Sequence, residues 1–255
     1  MSAIFRSCLG YANCPGWAFI QRSVRDHFGG FAGLRSIELG SGEGKVSILF
    51  SLLGANTTLV DYNAEQLRRA ARIAENFEVE PMIAQADLLH LPRNFWGKYD
   101  VSISFGTAEH FFDSERQSVF DVHANALTKG GMSIIGVPNR YGLLFHMGVM
   151  ARKLLRKKVC PIDEIPFSRK ELFRRAEQAG LNNIRIVGGE LLKNDFCNFI
   201  IDVPRILSLP ASLKVFADAH SARDELLQCM ATNESPIRFW NNYFSYLLIV
   251  IGTRS

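Results

Sequence analysis

Two hydrophobic periods take turns along this chain. Short apolar runs and alternating positions predict strands around Ile37 and Leu39, then at Thr57–Val60, Pro81–Ala86, Tyr99–Phe105, Met132–Val137, Asn183–Val187 and Tyr243–Gly252. Between them, apolar residues fall at helical spacing over Trp17–Phe28, Val46–Leu53 and Ala64–Phe77. Two more helices are expected, one from Ser114 to Lys129 and one from Ser168 to Gly180. Polar residues mark where several helices begin. Asn63 with Gln66, Ser114 with Gln117, and Ser168 with Glu171 each have the spacing of a capping box. Glycines mark the ends, at Gly29, Gly54, Gly130-Gly131 and Gly180. Strands that alternate with helices predict an α/β domain.

The stretch Ser36 to Asp61 gives that pattern a chemical meaning. A strand runs directly into Gly40-Ser41-Gly42-Glu43-Gly44, a helix follows, and a second strand ends in Asp61. Glycines let backbone N–H groups approach a ligand with no Cβ in the way. The helix N-terminus adds a partial positive charge. An acid at the tip of the second strand has the chemistry to accept both hydroxyls of a ribose. The unit therefore reads as a nucleotide site. It departs from the dinucleotide fingerprint Gly-x-Gly-x-x-Gly, because its third glycine comes one residue early and Lys45 stands where that motif has glycine. Glu38, two residues before the first glycine, is a carboxylate on a strand expected to be buried. Burial is costly for such a group unless it has partners, and a ligand with an ammonium group would supply one.

Glu38-Leu39-Gly40-Ser41-Gly42-Glu43-Gly44 resembles the first motif of the Rossmann-like (class I) S-adenosylmethionine (SAM)-dependent methyltransferases, acid-x-Gly-x-Gly-x-Gly, at every fixed position. The resemblance extends over residues 34–189 and the final strand. It implies a seven-stranded, mostly parallel sheet with an antiparallel edge strand, helices on both faces, and insertions after strands five and six. It also implies SAM as cofactor, with Glu38, Gly40, Ser41, Gly42 and Gly44 at the methionine end. Asp61 and Tyr62 would meet the ribose and its surroundings, and Asp87 the adenine amino group, with Leu88 beside the ring. Phe105, Gly106 and Glu109, at the end of the fourth strand, would face the methyl-bearing end. Glu109-His110-Phe111 matches a Glu-His-Phe stretch that many small-molecule methyltransferases carry there. His110 is the candidate base, since an unperturbed imidazole titrates near neutrality.

Composition narrows this reading. Hydrophobic residues at 47% and charged residues at 21% describe an ordinary globular chain. A formal net charge of +4 does not by itself call for nucleic acid. The five cysteines lack metal-site spacing and read as free thiols in a reducing cytoplasm. No metal is expected. The N-terminus lacks the pattern of a secretory signal, and no apolar run reaches membrane-spanning length.

The domain division expected is an N-terminal helical cap over residues 1–33 and a methyltransferase domain over 34–255, with insertions at 140–165 and 190–241 forming the acceptor side. Tyr11, Arg22 and His27 in the cap, and Tyr141 and His146 in the first insertion, are secondary candidates. The stretch 143–158 is amphipathic with a basic end. It reads either as a lid or as a peripheral contact with an anionic membrane surface. Trp240, Tyr243 and Phe244 close the second insertion. The acceptor expected is a small molecule methylated on oxygen or nitrogen, with a saccharide or lipid-linked intermediate in view. The competing readings are an RNA methyltransferase and a SAM-binding regulator without catalysis. Against other methyltransferase classes, Phe105-Gly106-Thr107-Ala108 stands where amino-methylating DNA enzymes carry Asn/Asp-Pro-Pro-aromatic.

Overall fold

A computed structural model of the chain describes residues 8–142, 146, 164–189, 219–234 and 245–255. The parts of the insertions that carry 147–158, Trp240, Tyr243 and Phe244 lie outside the described residues, as do Cys160 and Cys197. Seven strands form one sheet: β1 (Arg35–Leu39), β2 (Asn56–Asp61), β3 (Met82–Gln85), β4 (Tyr99–Phe105), β5 (Leu127–Pro138), β6 (Leu181–Gly188) and β7 (Leu247–Arg254). Their order across the sheet is β3-β2-β1-β4-β5-β7-β6. The first five run parallel, and β7 runs antiparallel between β5 and β6. The antiparallel strand is thus one in from the edge, which β6 occupies.

Helices surround the sheet, among them α1 (Pro15–Phe28), α2 (Lys45–Leu52), α3 (Ala64–Asn76), α4 (Glu115–Ala126), α5 (Arg169–Gln178) and α6 (Ala219–Thr232); residues 8–12 are helical as well. The period-two alternation of the strands explains why helices are needed on both faces. Val101 and Ile103 of β4 join a core built with Trp17, Phe50 and Ile73 of α1, α2 and α3. Ile37 and Leu39 of β1 join a second core with Phe120 of α4 and Leu172 of α5. Each core covers one side of a strand that would otherwise present an apolar face to water.

Parallel strands with helical crossovers put every functional turn on one edge. The turns after β1, β2, β3, β4 and β5 all leave that edge, and the N-terminal cap reaches it too. Gly16 donates its N–H to the carbonyl of Gly189, just past β6, at 2.7 Å. A Cβ on Gly16 would lie 2.6 Å from that carbonyl oxygen, so only glycine fits this crossing. The second insertion also returns to the cap. Leu226 and Met230 of α6 are buried in the α1 core, and Asn233 Nδ2 donates to the carbonyls of Ala12 and Cys14 at 2.7 and 3.1 Å.

Several boundaries differ from expectation. The helix predicted to run to Lys129 stops at Ala126, and β5 begins at Leu127. Tyr99 pairs with Leu127 while Val101 pairs with Met132, so residues 128–131 bulge out of the ladder. Gly130 sits there with φ +75°. Its glycine conformation serves the bulge rather than a helix stop. The capping box at Ser114 does not form, because Ser114 is itself helical and its side chain makes no cap bond. The other two caps form on one leg. Asn63 Oδ1 accepts from Glu65 N and Gln66 N at 2.9 and 3.3 Å, and Ser168 Oγ accepts from Glu171 N at 3.1 Å.

Candidate active site

The glycine loop turns as its composition requires. Gly40, Gly42 and Gly44 have φ of +67°, +52° and +68°. Their surroundings differ. A Cβ on Gly40 would meet Thr107 Cγ2 at 2.5 Å, and one on Gly44 would meet Leu59 Cδ1 at 2.9 Å. A Cβ on Gly42 would meet nothing within 4 Å. Gly40 and Gly44 are therefore held by packing, whereas Gly42 borders open space at the sheet edge. Thr107, which the sequence did not single out, locks the turn after β4 to the turn after β1. Its hydroxyl donates to the Gly40 carbonyl at 3.2 Å.

Glu38 is 4% exposed, and its Oε2 accepts the Ser47 N–H from the first turn of α2 at 3.0 Å. Burial pushes this carboxyl up to about 7, opposed by the bond from Ser47 and raised further by the nearby Asp61. Asp61 is 7% exposed. It accepts Gly42 N–H on Oδ2 and Asn63 N–H on Oδ1, both at 2.8 Å. A carboxylate has about four acceptor sites, so about two remain for other donors. Ser41 is buried beside them, and its Oγ has no partner.

The other expected cofactor residues take up different surroundings. Tyr62 is 69% exposed just past β2. Asp87 caps the short turn Leu88–His90, accepting Leu89 N–H at 3.0 Å, and its Oδ2 lies 2.6 Å from His90 Nδ1. The His90 bond holds the Asp87 carboxyl below its usual range. Leu88 is buried in the second core. Phe105 packs edge-on against Tyr11 at 6.2 Å between centroids, which brings the cap to the end of β4. Gly106 turns the chain with φ +71°.

The turn Ala108–His110 follows. Glu109 is 3% exposed and its Oε2 has no hydrogen-bond partner. Burial pushes its carboxyl up to about 8. His110 is half-buried, and its Nδ1 is buried without a partner. The segment before α5 leans on this turn. Ile165 N donates to the Glu109 carbonyl at 3.0 Å, and Phe167 bridges to Asn139 just past β5. Arg116, 3% exposed, holds the segment from below. Its guanidinium donates to the Ile165 carbonyl at 2.9 Å, stacks 3.4 Å above the Phe167 ring and lies 2.9 Å from Glu171.

Not every candidate reaches this edge. His27 bonds the Gly130 carbonyl at 2.8 Å, at the opposite end of the sheet. Arg22 is exposed on α1. Two others lie just past β5 at the functional edge itself: His146 Nε2 donates to the Arg140 carbonyl at 2.7 Å, and Tyr141 is exposed. A cavity of about 450 Å³ also lies at the far end, lined by Ser23, His27, Met132, Arg185 and Thr253 among others. It is remote from the glycine loop. Sequence reasoning also missed His123. It is fully buried on α4, with Nδ1 3.1 Å from Ser102 Oγ and Nε2 2.9 Å from Ser104 Oγ. Burial pushes it down to about 3, so it is a neutral bridge under β4. The signal was present: Ser102 and Ser104 alternate within an apolar strand, and both face α4. Among the described residues no group of three or more His, Cys, Asp or Glu is placed to hold a metal, and no helix is long and apolar enough to cross a membrane.

The fold is shared with known proteins. Residues 37–131 match the family model described as a methyltransferase domain. Over those residues the chain carries a methyltransferase domain, which takes in the glycine loop, Asp61, Asp87 and the turn after β4. No curated protein matches it in sequence. Its fold is similar to that of a SAM-dependent methyltransferase from Archaeoglobus fulgidus, at 14% identity and TM-score 0.55, covering 93% of this chain and 94% of that one. It is similar to magnesium protoporphyrin IX methyltransferase from Synechocystis, solved with S-adenosylhomocysteine, at 16% identity and TM-score 0.58, covering 94% and 84%. It is also similar to phosphoethanolamine N-methyltransferase 2 of Haemonchus contortus, in complex with SAM, at 15% identity and TM-score 0.56, covering 93% and 52%.

Proposed function

We propose that this methyltransferase acts on an oxygen or nitrogen of a small-molecule acceptor, at the edge where the turns after β1, β2 and β4 meet. The observation that supports this reading is the convergence there of an open Gly42, an unpartnered Ser41 hydroxyl, and two buried carboxylates with acceptor capacity to spare. SAM supplies an electrophilic methyl on a sulfonium. Glu38 and Gly40, Ser41, Gly42 and Gly44 hold the methionine end, Asp61 the ribose, Tyr62 and Leu88 the flanks of the base, and Asp87 its amino group. Phe105 and Gly106 border the methyl.

In-line displacement asks the protein chiefly for position and alignment. The locked pair of Thr107 and Gly40 gives the two turns a fixed separation, and Arg116 fixes the segment above them. For a hydroxyl acceptor, His110 takes the proton. The experiment is release of S-adenosylhomocysteine from SAM on adding a small-molecule extract, with Gly42→Arg as the control that blocks the open side of the loop. Turnover lost in that variant supports the proposal. Turnover only with total RNA freed of small metabolites defeats it, and salt sensitivity of that activity would identify phosphate-backbone binding.

A further inference from the structure

Glu109 is the group that this reading leaves without a task. The resemblance places it beside the cofactor, yet its surroundings ask for a different ligand. Its Oε2 is buried and unpartnered. Its Oε1 lies 3.6 Å from where a Cβ on Gly106 would stand, so the carboxyl sits at the tip of β4. The bond from Ile165 N to the Glu109 carbonyl brings a second acid, Glu164, into electrostatic reach of the first. The cation nearby, Arg116, is committed elsewhere: to the carbonyls of Ile165 and Pro166 at 2.9 and 3.4 Å, to Glu171 and to the Phe167 face. One residue on, His110 Nδ1 is also buried and unpartnered.

We infer that Glu109, with Glu164 beside it, recognises an amine, so that the enzyme methylates nitrogen. This rests on methyl transfer at this edge, as proposed above. An unpaired buried carboxyl is costly, and a serine or water does not neutralise it. A cationic ligand does. With a neutral hydroxyl acceptor Glu109 keeps its proton and offers no charge, and an anionic acceptor meets only like charge at Glu164; a cationic acceptor is the one that draws Glu109 into its ionised form. Burial and Glu164 push Glu109 up to about 8, while Arg116 and its own backbone N–H pull the other way. That range suits exchange of a proton with an ammonium.

The balance of the step follows. The acceptor binds as an ammonium, which displaces the Glu109 carboxyl proton to solvent and leaves a carboxylate; one ammonium proton then passes to that carboxylate, leaving a free amine. The nitrogen lone pair forms the new N–C bond, and the C–S bond breaks with its electron pair remaining on sulfur. Positive charge moves from sulfur to nitrogen, next to Glu109 and Glu164. No oxidant or further reactant is needed.

The test uses the full chain. Calorimetry measures SAM affinity, and then binding of a panel of primary and secondary amines, and of their hydroxyl and carboxyl analogues, to the protein with S-adenosylhomocysteine bound. Release of S-adenosylhomocysteine from SAM measures turnover with the same panel. The inference expects amines to bind and turn over and their analogues not to. Glu109→Gln is expected to raise the amine Kd and KM about tenfold or more while leaving the SAM Kd within about twofold. Glu164 is half-buried, so Glu164→Gln carries the test if Glu109→Gln does not fold; a rise of a few-fold in amine Kd is expected. Turnover of hydroxyl or carboxyl analogues without amines, turnover with neither, or variants that leave the amine Kd unchanged overturns the inference. A Glu109→Gln variant that weakens SAM instead makes Glu109 a cofactor residue and also overturns it. Failure of the wild-type chain to bind SAM would overturn the proposed function itself.

Discussion

The Asp61 carboxylate accepts the Gly42 N–H at 2.8 Å and so ties the end of β2 to the loop that follows β1. The same carboxylate takes the Asn63 N–H that begins the next helix. One acid thus sets the shape of the glycine loop before any ligand arrives. The contact with a ribose proposed for it would use the acceptor capacity that those two bonds leave over.

The three loop glycines should fail in different ways. Gly40→Ala faces both a left-handed φ and a Thr107 methyl 2.5 Å from its new Cβ. It is expected to lose about 2 kcal/mol or more of stability, from the left-handed strain and the overlap together. Gly42→Ala carries the strain without the overlap, so about 1 kcal/mol is expected, with a larger fall in SAM affinity than in stability. Urea denaturation and calorimetry on both variants check this ordering.

Glu38 should give cofactor binding a pH dependence. Its carboxyl stands at about 7 in the unliganded protein, against 4.5 for an ordinary glutamate. Binding of an ammonium favours the ionised form, so affinity should rise as pH increases toward 7. Below that, it should fall by up to about tenfold per pH unit. The same shift acts on stability with the opposite sense. Between 4.5 and about 7 the folded protein keeps a proton that the unfolded chain releases, so the unliganded protein loses stability as pH rises through that window. Glu38→Gln should flatten both profiles, read by calorimetry and by denaturation at a series of pH values.

His123 should act at lower pH and in the other direction. Its folded value is about 3, against 6.5 when unfolded. Between these, the unfolded chain binds a proton that the folded protein refuses, so stability is full above 6.5 and falls as pH drops. The slope expected is about 1.4 kcal/mol per pH unit. His123→Leu removes that slope but leaves the hydroxyls of Ser102 and Ser104 unpaired, at a cost of about 1–3 kcal/mol each. Urea midpoints at neutral pH and near pH 5 separate the two effects.

Much of this was legible in the chain because it is local. The glycine loop, Glu38 and Asp61 lie within one strand–helix–strand unit, and each needs a residue type whose reason is visible in sequence. The bulge at 128–131 was not, because Lys129-Gly130-Gly131 also has the form of a helix stop. Pairing of β5 with β4 and β7, remote in sequence, decided between them. Ser114 failed as a cap for a related reason: its backbone was already drawn into the helix, where a side chain cannot reach back to the N3 amide. The His123 bridge and the grip of Arg116 on residues 165–167 join elements far apart in the chain. No local spacing announces such pairs. The capping boxes at Asn63 and Ser168 kept only their forward bonds, because the return partner was claimed from outside. Asp61 takes the Asn63 N–H, and Glu171 turns to Arg116 and Arg175.

The claim on which the rest depends is that the edge built by Glu38, the glycine loop and Asp61 is the SAM site. Its most direct measurement is calorimetric titration of S-adenosylhomocysteine and of NAD into the wild-type chain and into Asp61→Ala. The wild type is expected to bind S-adenosylhomocysteine and not NAD. Asp61→Ala is expected to weaken S-adenosylhomocysteine by about tenfold to a hundredfold, the loss of charge-assisted bonds to the ribose together with the loop's own tie to Gly42. Tight NAD binding without S-adenosylhomocysteine binding, or an Asp61→Ala variant that binds S-adenosylhomocysteine as the wild type does, would contradict it.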